Sequence, residues 1–314
     1  MRAVALDGFG GPEVLGLRSL PIPAVGASEV LIAVHTAGVG SWDPDMRSGW
    51  SPSGRTQFPL VLGSDGSGTI AALGSRVRAF EIGQRVCAYS FDNRKGGFYA
   101  EYVAVPAARV TPIPKPLDLE HAGAVPATGL TALQGIDDAL EIGRGDSVIV
   151  LGASGGVGTL ALQFAKRSGA RVLAVASGKD GVALVRRLGT DAAVDGRRGD
   201  VSAALARFAP DGVDAILALV GGKPLTQSLR GLRHDGRLAY PHGVEPEPKP
   251  RKGVKVIAYD AVVGVDELKR LNRAVSEAKL KVPIGTAYPL AQARKAHERL
   301  ARGHVLGKVV LRIR

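Results

Sequence analysis

Val148-Ile149-Val150-Leu151-Gly152-Ala153-Ser154-Gly155-Gly156-Val157-Gly158 reads as an apolar strand, a glycine-rich turn and the first turn of a helix. Beyond Gly156 the apolar residues Val157, Leu160, Ala161, Phe164 and Ala165 recur at helical spacing. Laid on the pattern GxGxxG, the three fixed positions are Ala153, Gly155 and Gly158. At Gly155 the missing side chain lets the backbone approach a pyrophosphate, and at Gly158 it lets the helix pack close on the strand. The free N–H groups and the dipole of the helix start then face the phosphates. Ser154, Gly156 and Val157 complete the candidate dinucleotide-binding turn, for which a tight structural turn is the alternative.

Working outward, strand-like runs alternate with helical patterns at Ser147–Leu151, Arg171–Ala176, Asp191–Val194, Asp214–Val220, Gly236–Tyr240 and Val254–Tyr259. Almost wholly apolar runs suit parallel strands covered on both faces, so the sequence predicts an α/β, doubly wound, six-stranded sheet. An NAD-preferring fold carries an acid at the end of its second strand, where this chain has Ala176. Ser177 and Lys179 follow, with Arg197 and Arg198 after the third strand, and these suit a 2′-phosphate; the expected cofactor is NADPH. Ser177 with Asp180 also fits a helix N-cap pair.

Before this region, residues 1–120 are β-rich. Short runs at Met1–Ala5, Val30–Thr36, Gly66–Ala72, Arg85–Ala88, Tyr99–Val105 and Val110–Pro112 are punctuated by Gly and Pro, which predicts an antiparallel barrel or sandwich. After Asp260 two amphipathic helices, Val265–Leu280 and Leu290–Ala301, precede a last strand at Lys308–Ile313. The proline-rich stretch Glu245–Pro250 reads as a surface connection.

The 314 residues exceed what one hydrophobic core usually fills, about 250–300 residues, so two domains are expected. With 45% hydrophobic and 22% charged residues the chain is not a disordered one. A single cysteine, Cys87, excludes a disulfide scaffold and suits a reducing compartment, and Met1–Gly11 lacks an apolar signal core; the expected location is cytoplasmic. The net charge is +12, and residues 245–314 hold 16 basic and 7 acidic side chains. Without interleaved aromatics this excess reads as a solvated basic face, and nucleic acid is not an expected partner.

Several stretches together resemble the medium-chain dehydrogenase/reductase superfamily, in its zinc-free quinone oxidoreductase branch that includes zeta-crystallin. They are Met1–Val4 with Gly8–Leu15, Ala37–Val39, Arg47–Gly49, Gly63–Gly68, Gly83–Val86, Gly97–Tyr102, Thr128–Ala132, Gly152–Gly158 and Gly303–Lys308. The resemblance implies a discontinuous GroES-like domain, residues 1–122 with 261–314, and a Rossmann domain, residues 123–260. It implies that Thr128, Leu219-Val220-Gly221 and Tyr240-Pro241-His242 border the cofactor, and that Asp43 matches a family acid. Trp42, Trp50, Tyr89 and Phe91, with Gly40, are the expected walls of the substrate pocket. The resemblance also implies homodimers formed through the sheet edge at Val254–Tyr259.

Zinc-dependent members of the superfamily carry ligands at the places of Gly40, Ser64 and Ala124; none of these is a strong ligand, and no metal is expected. The branch usually has Asn at the place of Gly40 and Tyr near Asp45, so the pocket lining is altered here. The function read from the sequence is NADPH-dependent, zinc-independent hydride transfer to a quinone or to the activated C=C bond of an enone. Tyr240, His242 and Asp43 are the catalytic candidates. An enoyl-thioester reductase, or a low-turnover NADPH-binding sensor or nucleic-acid-binding protein, are the competing readings.

Overall fold

A computed structural model describes every residue of the chain except Pro52, Ser53, Arg55, Pro250 and Arg251. The end of the expected proline-rich connection, Pro250, and part of the loop over residues 40–58 therefore lie outside the described residues. The chain divides into two compact units. One comprises Met1–Ala127, Val263–Arg273 and Ile284–Arg314, the other Thr128–Val262 and Ala274–Pro283. Among the described residues no helix is long and apolar enough to cross a membrane.

The first unit is built on the long strand Glu29–Val39, whose β-branched and small residues are mostly buried. It pairs antiparallel with Asp65–Leu73 along one side; along the other, its first half pairs with Tyr102–Pro106 and its last residues with Lys308–Arg312. The sheet runs in the order Ile284–Pro289, Lys308–Arg312, Glu29–Val39, Asp65–Leu73, Arg85–Tyr89, Val110–Pro112. A smaller sheet joins Gly16–Ser19, Arg2–Leu6 and Leu60–Val61. The strand ending the chain thus completes a sheet begun at residue 29. Three strands, Gly16–Ser19, Leu60–Val61 and Ile284–Pro289, carry too little apolar alternation to be read from sequence.

Inside this unit runs a chain of buried polar groups. Arg47 donates to His297 Nδ1 at 3.0 Å and to the carbonyl of Gly10 at 3.0 Å. A guanidinium can only donate, so Nδ1 is the acceptor and Nε2 carries the proton toward the Tyr99 hydroxyl, 3.3 Å away. Tyr99 in turn donates to Asp43 Oδ2 at 2.7 Å, and the same oxygen accepts the Gly40 N–H at 2.8 Å. Asp43, Tyr99 and His297 are all essentially inaccessible to solvent. The network therefore pins the turn that leads from residue 40 into the short helix Asp43–Arg47.

The second unit holds a wholly parallel six-stranded sheet in the order Ala192–Asp195, Arg171–Ala176, Ser147–Leu151, Val213–Ala218, Leu232–Pro241, Lys255–Tyr259. Its central strands, Ser147–Leu151 above all, are buried along their length, which is why they read as unbroken apolar runs. The outer strand Lys255–Tyr259 is fixed by its last residue. Tyr259 donates its hydroxyl to the Thr131 carbonyl at 2.8 Å, where the helix through Gln134 passes into the π-turn Gly135–Ala139. A side chain at Gly135 would come within 2.2 Å of that hydroxyl. Gln134 clasps Val262 by both its amide groups.

Burial, with Arg47 beside it, lowers the His297 pKa from 6.5 to about 4, while burial raises that of Asp43 to about 6. Between about pH 4 and 6.5 the unfolded chain binds a proton at His297 that the folded chain rejects, so this residue's contribution to stability is present above pH 6.5 and lost as pH falls toward 4. Asp43 acts with the opposite sign below about pH 6. Replacing His297→Gln is therefore expected to change the pH profile in one direction. Relative to the variant, the wild type should gain unfolding free energy, at most about 3 kcal/mol, as pH rises from 4 to 6.5. Urea titrations across that range test this; a difference independent of pH would contradict it.

Candidate functional site

In the second unit the parallel arrangement brings all the carboxyl ends of the strands to one edge of the sheet. The glycine turn lies at that edge. Gly152 has φ +74°, and a side chain at Gly158 would lie 2.3 Å from the Gly152 carbonyl and 2.6 Å from Ala153 Cα, so the helix can sit against the strand only with glycine there. The helix Gly156–Arg167 has Gly155 as its N-cap and no side-chain cap. Its first N–H groups are thus left for an anion, and the position of Gly155 is open to within 3.4 Å. These features fit a dinucleotide pyrophosphate.

Other expected cofactor residues gather at the same edge. Ser154 Oγ accepts the Ser177 N–H at 3.2 Å, joining the phosphate turn to the turn after the second strand. Leu219 and Val220 lie over Gly152, with their side chains 3.2–3.3 Å from where its Cβ would be. Gly221 is covered by the backbone of Glu245. Lys179 and Arg197 are exposed, and Thr128 is buried near the start of its unit. Asp195, which sequence reasoning missed, accepts both the Gly178 N–H at 3.0 Å and the Arg197 N–H at 2.9 Å and so sets both turns. Its place at the end of the third strand was the available signal.

Tyr240 is buried, and its hydroxyl donates to Glu247 Oε1 at 2.6 Å. That bond to a carboxylate pushes the phenol pKa above its usual value. His242 is exposed and pairs through Nδ1 with Asp260 at 2.9 Å. Each candidate is thus backed by a carboxylate; Glu247 and Asp260 lie in loops whose sequence gave no sign of this.

In the first unit the four aromatic residues expected at the pocket come together around Phe91. Its ring lies 5.7 Å from that of Trp42, 5.9 Å from that of Trp50 and 6.4 Å from that of Tyr89. The Trp42 indole donates to Ser64 Oγ at 2.8 Å. A side chain at Gly40 would lie 2.6 Å from the same indole. The indole therefore fills the space between Gly40 and Ser64, two of the three places at which zinc-dependent relatives carry ligands. Ala124, at the third, is buried and offers no donor side chain. Among the described residues no group of three His, Cys, Asp or Glu side chains is placed to hold a metal ion. The residues present do not fit a catalytic zinc.

Beside the indole stands a charged cluster that the sequence did not reveal. The Lys308 ammonium lies 5.8 Å from the centre of the Trp42 ring and is nearly buried. It acts electrostatically on both Asp43 and Asp65. Asp65 Oδ2 accepts the Ala127 N–H at 3.1 Å, and burial pushes its carboxyl pKa up against the pull of Lys308. Asp43 is fully buried, and its bonds to Gly40 and Tyr99 anchor the Trp42 turn. Cys87 is buried and its thiol pKa is pushed up to about 12, as suits a core residue.

A family model for the alcohol dehydrogenase GroES-like domain matches residues 26–115, and one for zinc-binding dehydrogenases matches residues 188–311. The quinone oxidoreductase of Mus musculus is 31% identical over 99% of this chain and 97% of its own length. A solved structure described as an NAD-dependent alcohol dehydrogenase has a TM-score of 0.92 at 32% identity, covering 100% of both chains. A mycobacterial protein solved in complex with NADPH has a TM-score of 0.87 at 29% identity, also over 100% of both. The chain belongs to the medium-chain dehydrogenase/reductase superfamily, in its zeta-crystallin-like quinone oxidoreductase branch, and is an oxidoreductase of that family.

Proposed function

We propose that the protein is an NADPH-dependent, zinc-independent reductase of quinones or of the activated C=C bond of enones. The observation that carries this reading is the Trp42 indole wedged between Gly40 and Ser64. Where a Lewis acid would polarise an alcohol, the chain offers an aromatic wall with Phe91, Trp50 and Tyr89 beside it. Planar conjugated acceptors suit such a wall by stacking. They also need no metal, because their own carbonyl delocalises the incoming charge. The same donor set argues against alcohol oxidation, although one structural neighbour is described as an alcohol dehydrogenase.

A dinucleotide held at this edge would supply the hydride. The uncapped helix start after Gly155 holds its pyrophosphate, and Ser177, Lys179 and Arg197 read a 2′-phosphate. The NADPH complex of the mycobacterial neighbour supports that preference. With an enone the hydride adds to the β-carbon, and a proton reaches the α-carbon from water or through Tyr240 or His242. As placed, Tyr240 directs its hydroxyl proton at Glu247 and His242 pairs through Nδ1 with Asp260, so delivery through Tyr240 requires its bond to Glu247 to open, whereas His242 keeps Nε2 for it. The protein acts as a homodimer paired along Lys255–Tyr259, an edge strand with three of its five residues only half-buried.

Four outcomes are expected. NADPH oxidation with a simple cyclic enone should proceed undiminished in the presence of chelators. With deuterated NADPH the label should appear at the β-carbon and a solvent proton at the α-carbon. Efficient oxidation of simple alcohols, with no enone or quinone reduced, would overturn the assignment. Lys179→Ala should weaken NADPH about tenfold, the value of one charge-assisted bond, and leave NADH nearly unchanged; equal losses for both would remove Lys179 from phosphate recognition. Sedimentation velocity should give a dimer for the wild type and a monomer for Ala258→Pro, which removes an N–H on the outer side of the strand, since Tyr259 and Gly253 turn their carbonyls to the inner neighbour; a wild-type monomer would exclude the proposed edge.

A further inference from the structure

The first unit contains a cavity of about 710 Å³, within the range of roughly 300–1,000 Å³ typical of small-molecule sites. Its walls include Leu20, Ile22, Met46, Trp50, Phe58 and Leu62. The described residues have nine exposed large apolar side chains, and three of them, Ile22, Trp50 and Phe58, line this one cavity. Exposed apolar surface gathered in one concave place marks a binding surface.

The cavity reaches the aromatic cluster through Trp50, whose ring lies 5.9 Å from that of Phe91. Ser64 and Ser90 line it; Ser64 receives the Trp42 indole bond and Ser90 precedes Phe91 in the chain. The Ser90 N–H donates to the Ser64 carbonyl at 2.7 Å, so these two strand ends form a single inner end of the groove. Trp50, Met46, Leu20 and Ile22 line the same cavity. Charge at the rim does not select an ion. Lys95 is paired with Glu29 and bonded to the Ala24 carbonyl at 3.0 Å, and Asp92 and Arg94 are both exposed.

The geometry points to this groove as the site of an extended, uncharged apolar substituent on the acceptor. The quinone or enone head lies against the Trp42–Phe91–Trp50 rings, and an alkyl or isoprenoid-like tail lies along Leu20, Ile22 and Met46. This rests on the reductase reading above. It narrows the acceptor class from small rings to molecules with a chain attached, because a single conjugated ring would leave most of the groove wet.

Of the two tryptophans of the chain, Trp50 lines the groove and Trp42 bonds to Ser64 in its wall, so intrinsic fluorescence reports its occupancy without turnover. Titration with saturated methyl ketones from butanone to dodecanone should show affinity rising about two- to fourfold per methylene until the groove is full, as burial of each CH₂ predicts. The Ile22→Glu variant should flatten that rise. Alkyl vinyl ketones from methyl to nonyl should show the same slope in kcat/KM. Dodecanone binding no tighter than butanone would overturn the inference. So would turnover of vinyl ketones with no dependence on chain length, which would leave the reductase reading intact. Tight, chain-length-dependent ketone binding with no reduction of any enone or quinone would instead sustain the groove and overturn the reductase reading.

Discussion

The Asp43 carboxylate is the point on which the aromatic cluster of the first unit depends. One oxygen, Oδ2, accepts both the Tyr99 hydroxyl and the Gly40 N–H. The other has no hydrogen-bond partner and faces the field of Lys308. Burying such a carboxylate is costly, as its raised pKa shows. The cost is offset by what the two bonds fix together. Gly40 begins the turn that carries Trp42, and Tyr99 is locked from behind by His297 and Arg47. Loss of either partner would leave a buried charge with one bond, a situation worth several kcal/mol.

Much of the fold is legible because burial writes itself into apolar runs. The strands Ser147–Leu151 and Arg171–Ala176 have the limits that their hydrophobic patterns predict, and the other four parallel strands agree within a few residues. The strands that escape reading are Gly16–Ser19 and Leu60–Val61, which are short, and Ile284–Pro289, which is wholly half-buried or exposed. Legibility of the candidate site divides along the same line. Glycines forced by close approach, such as Gly158, and the aromatic set around Phe91 stand out in the sequence. The polar partners do not. Arg47 and His297 are 250 residues apart, and nothing local to either foretells that they meet. Glu247 and Asp260 sit in irregular loops whose course depends on tertiary packing.

Replacement of a metal site by an aromatic wall is a matter of volume as much as of ligands. Without a side chain, Gly40 leaves room for the indole, and a Cβ there would meet it at 2.6 Å. Ser64, too weak a ligand for zinc, is well suited to accept an indole N–H. The buried ammonium of Lys308 then lies toward the face of the same ring, where the negative quadrupole favours a cation. Asp65 and Asp43 balance that charge. Restoring a ligand at residue 40 alone would therefore evict the indole and unsettle three charged groups without completing a metal site.

The ribose end of the second unit shows why a rule about acids needs the register of the sheet. Ala176 and Asp195 are directly paired on neighbouring parallel strands, so the acid that the rule seeks at the end of the second strand is present one strand away. Asp195 Oδ1 is already shared by the N–H groups of Gly178 and Arg197. Although partial burial opposes it, these bonds and the nearby Arg198 hold its carboxyl below the ordinary range. Swinging that carboxylate away from the two turns would give up two charge-assisted bonds, about 1.5–3 kcal/mol each, so they fix its orientation. Asp195 is thus part of the scaffold that orders the two turns, and the charge they present outward is set by Lys179, Arg197 and Arg198. On the proposed NADPH reading, a 2′-phosphate would meet that surface with complementary charge.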